Sequence, residues 1–231
     1  MNNRDIAAKL KDSLRLRHDP VAVRLVREGE EPPAGYTVPE KQMSHCQSVM
    51  AARKGEKLLL PSESHSCKNG ASALGMANVP EKTASGEFYH SAGMFASPEA
   101  AKEMVDQRSS VPFKVTHTVV APLKDADFEP DVVIFTDVPE RIYWLVPMSV
   151  HFQGGRVEFN TAPYNACCVD AVARPLLEQS MNISLGCFGC RKRTELQPDE
   201  MLAGIPYGLI PRMMEALDTL SSDILQKASR D

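Results

Sequence analysis

Six cysteines carry the residue chemistry of this 231-residue chain. Two stand at C-x-x-C spacing in Ser184-Leu185-Gly186-Cys187-Phe188-Gly189-Cys190-Arg191-Lys192-Arg193, where two glycines permit a tight turn and three cations follow directly. The others are Cys46, Cys67 and the adjacent pair Cys167-Cys168. A C-x-x-C turn brings two sulfurs close enough to ligate one metal or to cycle between dithiol and disulfide. A zinc ribbon needs a second C-x-x-C, and the sequence has none. The remaining thiols sit in distant segments, so a shared site requires a folded protein closing around its cofactor. An iron–sulfur cluster takes four thiolates without fixed spacing, and the pattern predicts such a site. Zinc or a metal-containing cofactor held by an accessory protein stays open on residue types alone, as does a Cys187/Cys190 dithiol oxidoreductase.

The neighbouring residues fit either chemistry. Helix starts expected near Cys67 and Cys167-Cys168 offer free N–H groups and partial positive charge to a thiolate or an anionic cluster. Arg191, Lys192 and Arg193 add full charges beside Cys187, with Arg191 as the nearest expected charge partner. The same features lower thiol pKa values in redox enzymes. His45 precedes Cys46 and His65 lies two residues before Cys67, within reach of a metal that those cysteines bind. Asp199-Glu200 reads as a helix-capping acid pair rather than an acid/base pair. The sequence lacks G-x-G-x-x-G, a Walker loop, G-x-S-x-G and H-E-x-x-H, so nucleotide binding and the corresponding hydrolase classes lose ground.

A formal charge of −4, with 43% hydrophobic and 24% charged residues, is that of an ordinary globular protein. Nucleic acid is not expected as a partner, because phosphate binding needs a basic surface. The opening residues lack the apolar core of a secretion signal, and no apolar run approaches the roughly 20 residues that span a bilayer. The expectation is a cytoplasmic protein without membrane contact, in a compartment where disulfides are reduced. There the six cysteines are buried, metal-bound or redox-active rather than structural bridges.

The elements that must position these thiols are legible in part. Ile6, Ala7, Leu10 and Leu14 predict a helix over 4–17, stopped by Asp19-Pro20. Strands are expected at Val21–Val26, Lys57–Leu60, Val115–Ala121, Asp131–Thr136, Arg156–Asn160 and Asn182–Leu185. Helices are expected over 40–53 with Cys46, over Ala71–Ala77 after a polar loop with Cys67, and from Ser97-Pro98-Glu99 to about Arg108. Others are expected over 137–150, kinked by Pro147, and over Ala166–Gln179 with Cys167 and Cys168 at its start and Pro175 inside. A short helix from Pro198 and a terminal one over Leu209–Lys227 complete the set. Gly86–Phe95, with His90, reads as a loop over the site. Without repeats or linkers, residues 1–231 read as a single α+β domain with a central mixed β-sheet covered by helices.

The chain resembles the prokaryotic family called domain of unknown function 169 over roughly residues 4–220. The likeness rests on Pro20-Val21-Ala22-Val23, Cys46, Cys67-Lys68-Asn69-Gly70, Ala121-Pro122-Leu123, Pro130-Asp131-Val132-Val133, Cys168, Gly186-Cys187-Phe188-Gly189 with Arg191, and Asp199-Glu200-Met201. The resemblance singles out Cys46, Cys67, Cys168 and Cys187 as the ligands and makes Cys167 and Cys190 extras; with thiolates from four segments, the expected group is a [4Fe–4S] cluster. It implies no substrate. A redox partner or a small-molecule ligand is the expected partner.

Overall fold

The computed structural model describes residues 1–225. Six strands form one sheet: β1 (Val21–Arg27), β2 (Leu58–Pro61), β3 (Val115–Pro122), β4 (Val132–Asp137), β5 (Asn182–Ser184) and β6 (Met201–Pro206), in the order β2-β3-β1-β4-β6-β5. The helices are α1 (Asn3–Leu14), α2 (His45–Ala52), α3 (Lys68–Ala73), α4 (Glu81–Ala84), α5 (Glu87–Ser91), α6 (Pro98–Asp106), α7 (Pro139–Tyr143), α8 (Leu145–Val150), α9 (Arg174–Glu178), α10 (Phe188–Arg193) and α11 (Ile210–Asp223). A π-helix, Ala166–Ala173, runs directly into α9.

The α+β expectation holds, but the sheet is antiparallel throughout rather than mixed. The pairings give the reason. β3 and β4 run the same way with β1 inserted between them, and β1 and β2 run the same way with β3 between them. Strands of like direction therefore never become neighbours.

Alternation along the strands divides the interior into two layers. Val21, Val23 and Leu25 of β1 join Val120, Ile134 and Leu202 on one face, packed under α2, α3 and the π-helix. Ala22 and Val26 join Val119, Val133, Phe135 and Ile205 on the other, packed under α1 and α11. The buried cysteines all belong to the first layer, with Cys46 packed against it. One face of the sheet thus carries an apolar core under α1 and α11, and the other is the floor of the thiol site.

Several local expectations need correction. The segment expected as a helix from Pro198 instead enters β6, a strand between β4 and β5. Its Leu202-Ala203-Gly204-Ile205 run is buried on both faces, and burial outweighs the capping signal of Asp199-Glu200. Gly204 is required there, because a Cβ would lie 2.2 Å from the Ala171 carbonyl oxygen of the π-helix. Residues 156–160 form no strand. Asn182 instead engages Asn160 with its side chain, accepting from the backbone N–H at 2.7 Å and donating to the carbonyl at 2.9 Å. Part of the Gly86–Phe95 loop is α5, and the turn after Cys187 continues as α10. The helix expected over 137–150 breaks at Trp144, leaving Pro147 in the first turn of α8, where its missing N–H is harmless. Pro175 is the second residue of α9, just where the π-helix gives way to α-helix. Of the terminal helix, the expected end at Lys227 lies outside the described residues.

Candidate metal centre

All six cysteines line one cavity of about 210 Å³. Cys46 is the second residue of α2, whose entry is set by a capping box. Gln47 N–H donates to Ser44 Oγ at 3.3 Å, and Gln47 Oε1 accepts from Ser44 N–H at 2.8 Å. Ser44 Oγ also lies 3.1 Å from Cys46 Sγ. Cys67 and Cys187 occupy the N-cap positions of α3 and α10. Each sulfur accepts a backbone N–H at 3.4 Å, from Gly70 and Cys190 respectively. A sulfur thus stands where an oxygen acceptor is usual, and a thiolate suits that position better than a thiol.

Cys167 and Cys168 open the π-helix, whose wider turn keeps consecutive side chains on one wall. Asn165 starts that segment in the left-handed region at φ 68°. Its amide donates to Cys168 Sγ at 3.5 Å, and its carbonyl oxygen accepts from Tyr89 Oη at 2.9 Å. Gly70 lets α3 come close: a Cβ there would lie 3.4 Å from Cys168 Sγ and 3.5 Å from Cys67 Sγ. Cys187 and Cys190 sulfurs are 3.3 Å apart, and Cys190 is 3.7 Å from Cys167.

The electrostatics separate the thiols. Cys190 donates to Cys187, and this bond, opposed by burial and assisted by backbone N–H groups, brings the Cys187 pKa down to about 6. Cys46 is also lowered, by the same Cys190 thiol and then, against burial, by Ser44. Cys190, which carries one proton among the sulfurs of Cys167, Cys187 and Cys46, is pushed up by those neighbours and then by burial. Burial raises Cys67 and, more strongly, Cys168. Cys167 rises as well, because burial and neighbouring thiolates outweigh the bond from Cys190. A bound cation would offset this cost and favour their thiolate forms.

The histidines and cations sort differently from expectation. His45 lines the cavity, 2% exposed, with neither ring nitrogen hydrogen-bonded. Burial, followed by repulsion from His65, lowers its pKa to about 3, so the ring is neutral. His65 is fully buried but faces Thr118, 3.4 Å from its Oγ1, and lies outside the cavity wall. Arg191 is not the charge partner of Cys187. Its guanidinium bonds the carbonyl oxygens of Leu185, Gln197 and Glu200 and so staples the turn, while Arg193 lines the cavity. Gly186 allows that staple: its φ is 82°, and a Cβ would lie 2.7 Å from Leu196 Cδ2. Phe88 and Tyr89 of α5 stand in the wall, so the segment expected to cover the site does reach it.

Sequence reasoning missed the buried ion pair behind the site. Arg53, at the C-cap of α2, reaches Glu200 Oε2 at 2.9 Å, with side-chain exposures of 2% and 0%. Glu200 also accepts from Gln197 N–H at 2.9 Å, and its other oxygen lies 2.9 Å from His18 Nε2. Glu200 is therefore no helix cap, and Asp199 pairs with Arg17 instead. Only the helical break after Ala52 and an acid beside a buried strand hinted at such a pair.

Among the described residues, no three His, Cys, Asp or Glu side chains converge on one ion-sized point. The sulfurs surround a space. No described helix is long and apolar enough to cross a membrane.

The family model of domain of unknown function 169, described as Uncharacterised ArCR, matches residues 9–216. An uncharacterized protein of Methanocaldococcus jannaschii is 35% identical over 217 residues, covering 93% of each chain. No solved structure matches the chain. The match extends from within α1 to the middle of α11 and includes every thiol-bearing element, so the chain belongs to the domain of unknown function 169 family.

Proposed function

We propose that the chain is a cytoplasmic protein holding one iron–sulfur cluster, of the [4Fe–4S] type, in the thiol cavity. The carrying observation is that thiols from separate segments surround a single cavity of about 210 Å³. In a cubane cluster each iron takes one thiolate, so the donors must face the corners of a space; a single zinc ion would need them to meet at a point. Cys46, Cys67, Cys168 and Cys187 are the ligands in this reading, one from each thiol-bearing segment.

The fit is supported by two further features. His45, a residue of the cavity wall, leaves two buried ring nitrogens unpaired, at an expense of about 1–3 kcal/mol each. The N–H groups of Gly70 and Cys190 already point at Cys67 and Cys187, and such bonds stabilise thiolate ligands. When bound, a cluster supplies one-electron transfer, for redox exchange with a partner, for sensing, or for a reaction on a small molecule. The chain itself supplies the thiolates, the N–H donors, and an aromatic wall of Phe88, Tyr89, Tyr164 and Phe188 that limits water.

Anaerobic purification or reconstitution, with iron and acid-labile sulfide assays, tests this. A brown protein that Cys67→Ser renders colourless is expected. Colourless, iron-free wild-type protein after anaerobic reconstitution sinks the proposal, and tightly held zinc without sulfide replaces it with a zinc site.

A second reading is favoured by one distance. Cys187 and Cys190 lie 3.3 Å apart with Cys187 biased towards thiolate, which suits a dithiol–disulfide couple. Turnover with a thiol reductant that disappears in Cys190→Ser, in iron-free protein, would select it.

A further inference from the structure

Two aromatic rings of the thiol cavity also face solvent. Phe88 of α5 and Phe188 of α10 line the cavity, yet they are 47% and 45% exposed. They are the ends of one aromatic row. Ring centroids lie 5.1 Å apart for Phe88 and Tyr89, 4.2 Å for Tyr89 and Tyr164, and 6.3 Å for Tyr164 and Phe188. Tyr89 is buried, and Phe188 N–H donates to the Pro163 carbonyl oxygen at 2.9 Å, so the row is held from within. Exposed aromatic rings fixed in this way lose little freedom when covered, and protein interfaces are centred on such residues.

Charge marks one end of the row. Lys192 Nζ lies 5.2 Å from the Phe188 ring centroid, and Arg193 is an exposed residue of the cavity lining. Neither has a carboxylate partner among the described residues. The acids that follow in the chain are engaged elsewhere: Glu195 with Lys54, Asp199 with Arg17, and Glu200 with Arg53. α5 and α10 contribute a single acid, Glu87, against Arg191, Lys192 and Arg193, in a chain whose formal charge is −4. The rim of the cavity is thus locally basic on an acidic protein.

We propose that this rim is the docking surface for an acidic one-electron carrier protein, with Phe88 and Phe188 central to the contact and partner carboxylates opposite Lys192 and Arg193. The proposal rests on the cluster reading of the thiol site. Cys187, next to Phe188, is only 6% exposed, so a carrier must seat at the rim to exchange an electron. In that exchange the carrier is oxidised by one electron and the centre held by the thiols is reduced by one. A two-fold contact between copies through the same rim would set like cations together. Two unpaired cations on a chain of charge −4 neutralise too few phosphates for nucleic acid. A small molecule inside the cavity would leave the outward faces of both rings in water.

Biolayer interferometry of the full chain against an acidic plant-type [2Fe–2S] ferredoxin tests this, with basic cytochrome c as the probe of opposite charge. Iron-free and reconstituted protein are run side by side. Saturable ferredoxin binding in the micromolar range is expected at about 50 mM salt, weaker by about tenfold or more at about 500 mM, with no cytochrome c binding. Lys192→Glu/Arg193→Glu should weaken it about tenfold or more, and Phe88→Ala about threefold to tenfold. Lys102→Glu/Lys114→Glu reverses two exposed cations elsewhere and should change it less than about twofold. Absence of ferredoxin binding, equal binding of cytochrome c, or equal weakening by the two double variants overturns the proposal. Self-association in sedimentation that Phe88→Ala dissolves, without ferredoxin binding, also overturns it and assigns the rim to a second copy. Tighter binding of a single-stranded oligonucleotide than of ferredoxin overturns it in favour of nucleic acid. Should the charge-reversed variant fail to fold, Lys192→Gln/Arg193→Gln decides, since unchanged affinity there overturns the proposal. Ferredoxin docking on a chain that takes up no iron sinks the cluster and leaves the docking surface standing, whereas a brown chain that ignores ferredoxin sinks the docking surface alone.

Discussion

Glu200→Gln probes the link between the fold and the thiol site most directly. The substitution is nearly isosteric but removes a carboxylate whose side chain is 0% exposed, opposite Arg53 at 2%. Arg53 keeps its bonds to Thr136 Oγ1 and the Glu195 carbonyl, at 3.2 and 2.8 Å, but its charge loses its counter-ion. Breaking one side of a buried pair costs about 3–5 kcal/mol, chiefly through the stranded charge. For a chain of this size that corresponds to a fall in Tm of about 6–20 °C. The affected contacts join the C-terminus of α2, whose first turn carries Cys46, to the segment that follows α10 and its Cys190. Loss of the bound group should therefore accelerate in parallel. Urea and thermal unfolding of the metal-free protein measure the first effect, and the rate of iron release to a chelator measures the second. The Arg53→Met/Glu200→Leu double variant should recover much of the loss, since it buries no unpaired charge. A fall of less than about 1 kcal/mol in Glu200→Gln, or a double variant no better than the single, refutes the argument.

The same pair sets a pH dependence. Burial raises the Glu200 pKa, but the Gln197 N–H, Arg53 and His18 outweigh it and hold the group below its ordinary value of 4.5. Its folded pKa is thus below its unfolded one, so its contribution is fully present above the unfolded pKa and is lost as pH falls through the folded pKa. Wild-type stability should drop over that acid range more steeply than that of Glu200→Gln, as read from urea midpoints. His45→Leu removes two unpaired polar atoms from the cavity wall and should stabilise the metal-free protein by about 1–3 kcal/mol while weakening retention of the bound group; a destabilised metal-free variant would mean that the imidazole has a structural partner. Gly204→Ala places a methyl group against the Ala171 backbone and should cost about 1–3 kcal/mol or more in urea unfolding. Cys67→Ser should fold, because an oxygen can still cap α3, yet lose the visible absorption of the reconstituted protein.

Much of the chain is legible locally. The period of Ile6, Ala7, Leu10 and Leu14 marks α1, because that helix buries one regular stripe, and the β-branched run of Val21–Val26 marks β1, which is buried on both faces. β6 is also buried on both faces, but it escaped because it has few β-branched residues and an acid pair before it imitates a helix start. The antiparallel order was equally hidden, since direction depends on which strand is inserted between which, and that is a property of the whole sheet.

The thiol site divides in the same way. Residue type marked all six cysteines, and C-x-x-C spacing marked Cys187 with Cys190 as neighbours. That Cys46, Cys67 and the Cys167-Cys168 pair share their cavity follows from three helix starts being packed on one face of the sheet. His45 illustrates the limit. In sequence it is one histidine beside a cysteine, no different from His65 near another. The tertiary packing puts His45 in the cavity wall and leaves His65 against Thr118. Residue types prescribe which chemistry is possible; long-range packing selects which side chains meet, because burial and partnership are set by segments far apart in the chain.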